Sequence, residues 1–154
     1  MLTQHELDGQ LLGVFVSDNL YRGDMGYGLV ITKHAITGAK KPDALGEFAG
    51  YLGPGSEMTD AARAEAEQIA RKLSGAAEFK IPIGSIGQVL FKEPGMFLGG
   101  YAIIKTGLSS FRVDMRLLSI GGSNLLDTSK RLEESLWMAV GERLLKVGRP
   151  TNNP

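Results

Sequence analysis

The chain has 154 residues, 43% hydrophobic and 22% charged, a length and composition that fit one globular domain rather than a disordered polymer. Seventeen basic residues balance 17 acidic ones, so the basic excess expected of a nucleic-acid binder or of a protein docked on anionic membrane is absent. Cysteine is absent too, which excludes disulfides, thiolate metal sites and a cysteine nucleophile.

The N-terminal "MLTQHELDGQ" has an acidic pair and no long apolar segment. It reads as neither signal peptide nor membrane anchor, so the expected compartment is the cytoplasm. "LLGVFVS" (11–17) is a nearly continuous apolar strand. In "GLVITKHAITGAKK" (28–41), two β-rich runs flank a polar Thr32-Lys33-His34 connection, which predicts a hairpin of strands at 27–32 and 34–40.

Residues 42–76 form a long connection containing "TDAARAEAEQIARKLSG". There Ala62, Ala66, Ile69 and Leu73 share one helical face, flanked by Ala70, with Thr59 as N-cap and Gly75 as stop. "EFKIPIG" gives a strand at 77–82. Pro82 cannot donate to a ladder, so this strand lies at an edge or ends there. "SIGQVLFK" supplies the next strand at 85–92.

"YAIIKT" belongs to a strand at 98–106, and the Gly107-Leu108 corner joins it to 109–117. In that last strand Phe111, Val113, Met115 and Leu117 alternate with Arg112, Asp114 and Arg116, the pattern of a half-buried antiparallel strand. Finally, Leu132, Leu136, Val140, Leu144 and Val147 recur at spacings of three and four. They predict one amphipathic helix, capped by Asp127 or Ser129 and running to Gly148, with Trp137 or Met138 at the edge of its stripe. The polar tail from Arg149, at 149–154, is expected to be disordered.

The expected fold is therefore α+β, mainly β: one domain at 1–148, with seven antiparallel strands, a terminal helix and a helical insertion between strands three and four. "LVITKHAIT" and "KIPIGSIGQV" resemble two elements of the bacterial and archaeal pleckstrin-homology-like domains: a strand entering a Thr-x-x-aliphatic turn, and an aliphatic-Pro-aliphatic strand before a Ser-Ile pair. The resemblance extends from about Leu11 to Val147 and implies a seven-stranded PH-like barrel plugged by its C-terminal helix. The insertion of about 35 residues at 42–76 departs from that pattern.

No motif compels catalysis or a cofactor. His5 and His34 have no partners at metal-ligand spacing, and "GGSN" and "GMFLGG" match neither phosphate-loop pattern. No G-x-S-x-G elbow is present. Two features stand out as binding candidates. Lys33, Lys40 and Lys41 are the densest basic grouping at one hairpin. At about 1 kcal/mol for each exposed cation near anionic lipid, they would give weak, salt-sensitive membrane contact. Met96, Phe97 and Leu98 put apolar residues in a turn where polar ones belong. They would either pack under the insertion or meet a partner. Up-and-down alternation would set this turn at the end carrying the first inter-strand loop. The leading reading is a non-catalytic module making protein contacts, with a protein partner or in a homo-oligomer. A phospholipid or phosphoinositide binder is the second reading, and a small enzyme the third.

Overall fold

The computed structural model describes residues 10–95, 98–116 and 123–149. The described strands, in chain order, are β1 (Leu11–Arg22), β2 (Met25–Thr32), β3 (Ala35–Lys40), β4 (Phe48–Tyr51), β5 (Phe79–Pro82), β6 (Ile86–Lys92), β7 (Gly100–Thr106), β8 (Ser110–Met115) and β9 (Leu145–Gly148). Helix α1 (Asp60–Gly75) lies between β4 and β5, and helix α2 (Ser123–Val140) between β8 and β9. One mixed sheet follows the path β5-β3-β2-β1-β8-β7-β6-β9, with β4 paired to β1 beside it. The protein is α+β and mainly β.

β1 explains why "LLGVFVS" is apolar throughout. Leu12, Phe15 and Leu20 enter a core shared with β2, β3, β5–β9 and α2, while Leu11, Val14 and Val16 enter a second core under α1. A strand covered on both faces loses the alternation of a half-exposed one. β2 divides its side chains likewise: Tyr27, Leu29 and Ile31 go to the first core and Val30 to the second. The first core joins Ile36 and Phe79 from one half of the path to Val89, Phe91 and Ile104 from the other, so the sheet folds over its own interior.

The expected local signals operate as chemistry. Thr32 Oγ1 accepts from the backbone N–H of His34 and of Ala35, both at 3.1 Å, and so closes the β2–β3 turn. Thr59 caps α1 by accepting from Ala62 N–H at 3.1 Å. α1 buries Ala66, Ile69, Ala70 and Leu73, while Ala62 is only partly covered. Pro82 ends β5, which is the terminal strand of the path. The two-residue corner at Gly107-Leu108 is closed by Thr106 N–H donating to Ser109 O at 2.9 Å.

Four expectations need correction. First, the sheet is an open one of nine strands among the described residues, not a seven-stranded barrel. The insertion supplies β4, which covers the edge of β1 through Gly13↔Tyr51 to Val16↔Phe48. Second, the terminal helix stops at Val140. Gly141 takes φ 79°, a left-handed conformation that costs glycine little, and its N–H donates to Trp137 O at 2.8 Å. The chain then returns as β9, parallel to β6 from Val89↔Leu145 to Lys92↔Gly148. Leu144 and Val147 kept the helical period without being helical.

Third, β1 and β8 are antiparallel, with Leu20↔Met115 and Tyr21↔Asp114, so strict up-and-down alternation fails. The ladder sets Gly100 opposite Met115 and Met115 opposite Leu20, so the start of β7 lies two strands from the last residues of β1. Fourth, Arg149 is held by ion pairs to Glu93 at 3.2 Å and Glu133 at 3.0 Å, so the expected disordered tail does not begin there. The rest of that tail, 150–154, lies outside the described residues, as do residues 1–9 and Leu117.

α2 meets β1 at Leu12-Gly13. A register irregularity between Leu11 and Gly13 frees the Leu12 carbonyl from ordinary pairing. That carbonyl accepts from Leu52 N–H at 2.8 Å and from the buried Ser135 hydroxyl at 3.2 Å. A Cβ on Gly13 would collide with Ser135 Oγ and the Phe15 ring, whereas one on Gly46 would meet nothing. Gly13→Ala should therefore cost about 1–3 kcal/mol by overpacking, while Gly46→Ala stays within about 0.5 kcal/mol of the parent. Urea-unfolding midpoints check this, and equal effects at the two positions would refute the close-approach argument.

Candidate functional site

The lysines read as a basic patch do not form one. Lys33 is exposed at the β2–β3 turn, its N–H donating to Gln10 O at 3.0 Å. Lys40 and Lys41 lie at the far end of β3, about 20 Å away at the usual rise of a strand. Lys40 faces Glu78 at 3.6 Å and Lys41 faces Asp18 at 3.7 Å, so each already has a carboxylate. The Lys41 side chain is only 10% exposed. Of the apolar turn, Leu98 is 64% exposed, and its carbonyl accepts from Gly95 N–H at 2.8 Å. Met96 and Phe97 lie outside the described residues, so the alternatives of core or contact surface stay open there. His34 is exposed in its turn; His5 lies outside the described residues. Among the described residues no group of three or more His, Asp or Glu side chains could hold a metal ion.

Lys40 belongs to a structural cluster. Tyr27, fully buried, donates its hydroxyl to Glu78 at 2.8 Å and stacks on Phe79 with ring centroids 6.1 Å apart. Phe79 from β5 in turn meets Phe111 from β8 at 4.9 Å, joining the two halves of the folded sheet. Arg22 lies over both rings, at 5.4 and 5.8 Å from their centroids. The cluster closes this end of the core and leaves Lys40 paired at its rim.

The exposed face of α2 offers more. It borders two shallow grooves that share Glu134. The first, about 490 Å³, lies against the β4–α1 connection and is lined by Tyr51, Ser56, Thr59 and Arg131. Arg131 is fixed there, donating to Ala49 O at 3.0 Å and pairing with Asp127 at 3.3 Å. Burial, and secondarily Glu134, raise the Tyr51 phenol above its ordinary pKa. The second groove, about 530 Å³, runs between α2 and β9 and is lined by Glu133, Glu134, Trp137, Glu142, Leu145 and Val147. Glu134 and Trp137 are three residues apart, so the two grooves follow each other along about one helical turn.

The second groove exposes apolar surface beside its carboxylates. Trp137 keeps 50% of its surface and Val147 38%, while Leu145 is buried beneath them. Arg149 anchors the end of β9 by a bidentate pair, one guanidinium nitrogen at 3.2 Å and the other at 3.0 Å from the Glu133 carboxylate. The outer edge of β9 has no partner strand among the described residues. The opposite terminal strand, β5, is blunted by Pro82 and by exposed Lys80. Sequence reading gave Val147 to the core stripe of one long helix, with Trp137 or Met138 at its edge, and so missed this surface. Gly141 was the available signal.

The described fold thus defines a mainly β α+β protein whose candidate site is a surface groove between its last helix and last strand. No protein-family model matches the sequence, and no curated protein does. Among solved structures, the chain is similar to the hSac2 domain of the human phosphoinositide phosphatase Sac2, with 11% identity and a TM-score of 0.46, over 90% of this chain and 76% of that one.

Tyr27 gives the cluster around Glu78 a measurable signature. Burial, with the Glu78 hydrogen bond second, raises its pKa from 10.0 to about 12. The folded state thus holds the phenolic proton more tightly than the unfolded chain. Its contribution is complete below the unfolded pKa of 10.0 and is lost as pH rises toward about 12. The loss should be on the order of 2 kcal/mol. Tyr27→Phe should flatten that alkaline decline in urea unfolding. An equally steep decline in the variant would remove Tyr27 as its cause.

Proposed function

We propose that this chain is a non-catalytic, pleckstrin-homology-like interaction module that binds a protein partner at the surface formed by α2 and β9. The observation that carries the reading is the half-exposed Trp137 beside exposed Val147, in a groove that ends at a strand edge unpaired among the described residues. Large aromatic side chains in partly desolvated grooves supply much of the energy at protein interfaces, and an open edge offers backbone hydrogen bonds. With β4 and β9 set aside, seven strands and α2 keep the strand count and helix position that the family resemblance implies. The phospholipid reading has less support, since Lys33 stands apart and Lys40 and Lys41 each face a carboxylate.

A photo-crosslinking residue placed at Trp137 in the full chain, with Lys80 on the β5 edge as control, tests the reading. The expected result is a discrete protein adduct from position 137 alone, together with no sedimentation of the chain on anionic vesicles at low salt. Equal labelling from both positions, or vesicle binding lost on Lys40→Ala and Lys41→Ala, would overturn it. Trp137→Gln should cost no more than about 1.5 kcal/mol, well short of the roughly 3–5 kcal/mol of a fully buried aromatic, as a half-exposed site requires.

A further inference from the structure

We infer that the α2–β9 groove receives a cationic, extended segment of a partner protein, added as a strand to the edge of β9 that is unpaired among the described residues. The inference rests on the interaction-module reading and specifies the partner's chemistry.

Charge selects the occupant. The groove lining has three carboxylates, Glu133, Glu134 and Glu142, and no cation. Glu133 is occupied by Arg149 at its rim. Glu134 and Glu142 form no ion pair among the described residues, and both are exposed. A lysine or arginine laid across Trp137 would rest its aliphatic stem and its charge on the indole face, with a carboxylate on either side.

Geometry selects the conformation. Leu145 and Val147 line the groove, whereas Lys146 between them does not, which is the alternation of a strand. A strand added outside β9 would continue that alternation. Its groove-facing positions lie two residues apart, so a basic and an apolar side chain at that spacing would meet the carboxylates and the Trp137–Val147 surface together. A second copy fits less well, because β9 against β9 would bring two identical acidic rims together. An anionic lipid surface meets the same repulsion.

The experiment uses Trp137 itself, the only tryptophan in the chain, so its emission reports this groove. The full chain is titrated with a capped peptide repeating lysine–threonine–valine–threonine, which sets lysine and valine two residues apart on one face, with the counterpart that has glutamate for lysine, and with a neutral one that has glutamine for lysine. A saturable emission change is expected with the lysine peptide and none with the glutamate peptide. Affinity should fall about tenfold or more in the E134Q/E142Q double variant, and again on raising salt from about 0.05 to 0.5 M.

Undiminished affinity in the double variant, or equal binding of the glutamate peptide, would overturn the cationic partner while leaving the groove as an interaction surface. No emission change with any of the three peptides at millimolar concentration would overturn both this inference and the reading beneath it. Emission that varies with the protein's own concentration, without peptide, would assign the groove to a second copy and overturn the proposal.

Discussion

Strand β1 is left with neither a free face nor a free edge over its first half, and the rest of the molecule is arranged by that constraint. β2 pairs along one side; β4 takes Gly13 to Val16 on the other, and β8 takes over at Leu20 and Tyr21. One face looks into the core that α2 closes, and the opposite face into the core that α1 closes. A strand in that position cannot slip by one residue without exchanging two apolar faces of different shape, so its register is set from both sides. The irregularity at Leu12 is where these demands meet, since its carbonyl serves both β4 and α2.

The same constraint explains what could be read from the residues. All seven expected strands are present, because alternation in Phe111–Met115, turn chemistry at Thr32, the Gly107-Leu108 corner and the missing N–H of Pro82 are local and act locally. β4 was not legible. "FAGY" is four residues with a glycine, and it is a strand only because β1 offers an unpaired edge. β9 failed for the opposite reason: its local pattern was strong and ambiguous. Val140, Leu144 and Val147 satisfy a helical period, and only the positive φ of Gly141 separates the last helical turn from the returning strand. Periodicity of apolar residues records which side chains are covered, not which backbone covers them.

The misread segment is also where the candidate site arises. Had α2 continued to Gly148, Val147 would have lain on the buried stripe. Because Gly141 ends the helix, β9 docks beside it on β6, and α2 is left with Trp137 facing a groove instead of a neighbour. The lysines were singled out because they crowd along one hairpin. Glu78 and Asp18, distant in sequence from Lys40 and Lys41, answer them. Charge pairing across such separations has no sequence signature.

β1 and β9 should therefore stand at opposite ends of the protein's stability: one enclosed on every side, the other four residues long, paired on one edge, with Leu145 its one buried side chain. Native-state amide hydrogen exchange measures that difference residue by residue. The hydrogen-bonded amides of Val14 to Val16 should exchange only through global unfolding, while those of Leu145 to Gly148 open at a clearly lower free energy. Protection in β9 equal to that in β1, or local opening at Val14 to Val16, would contradict the account.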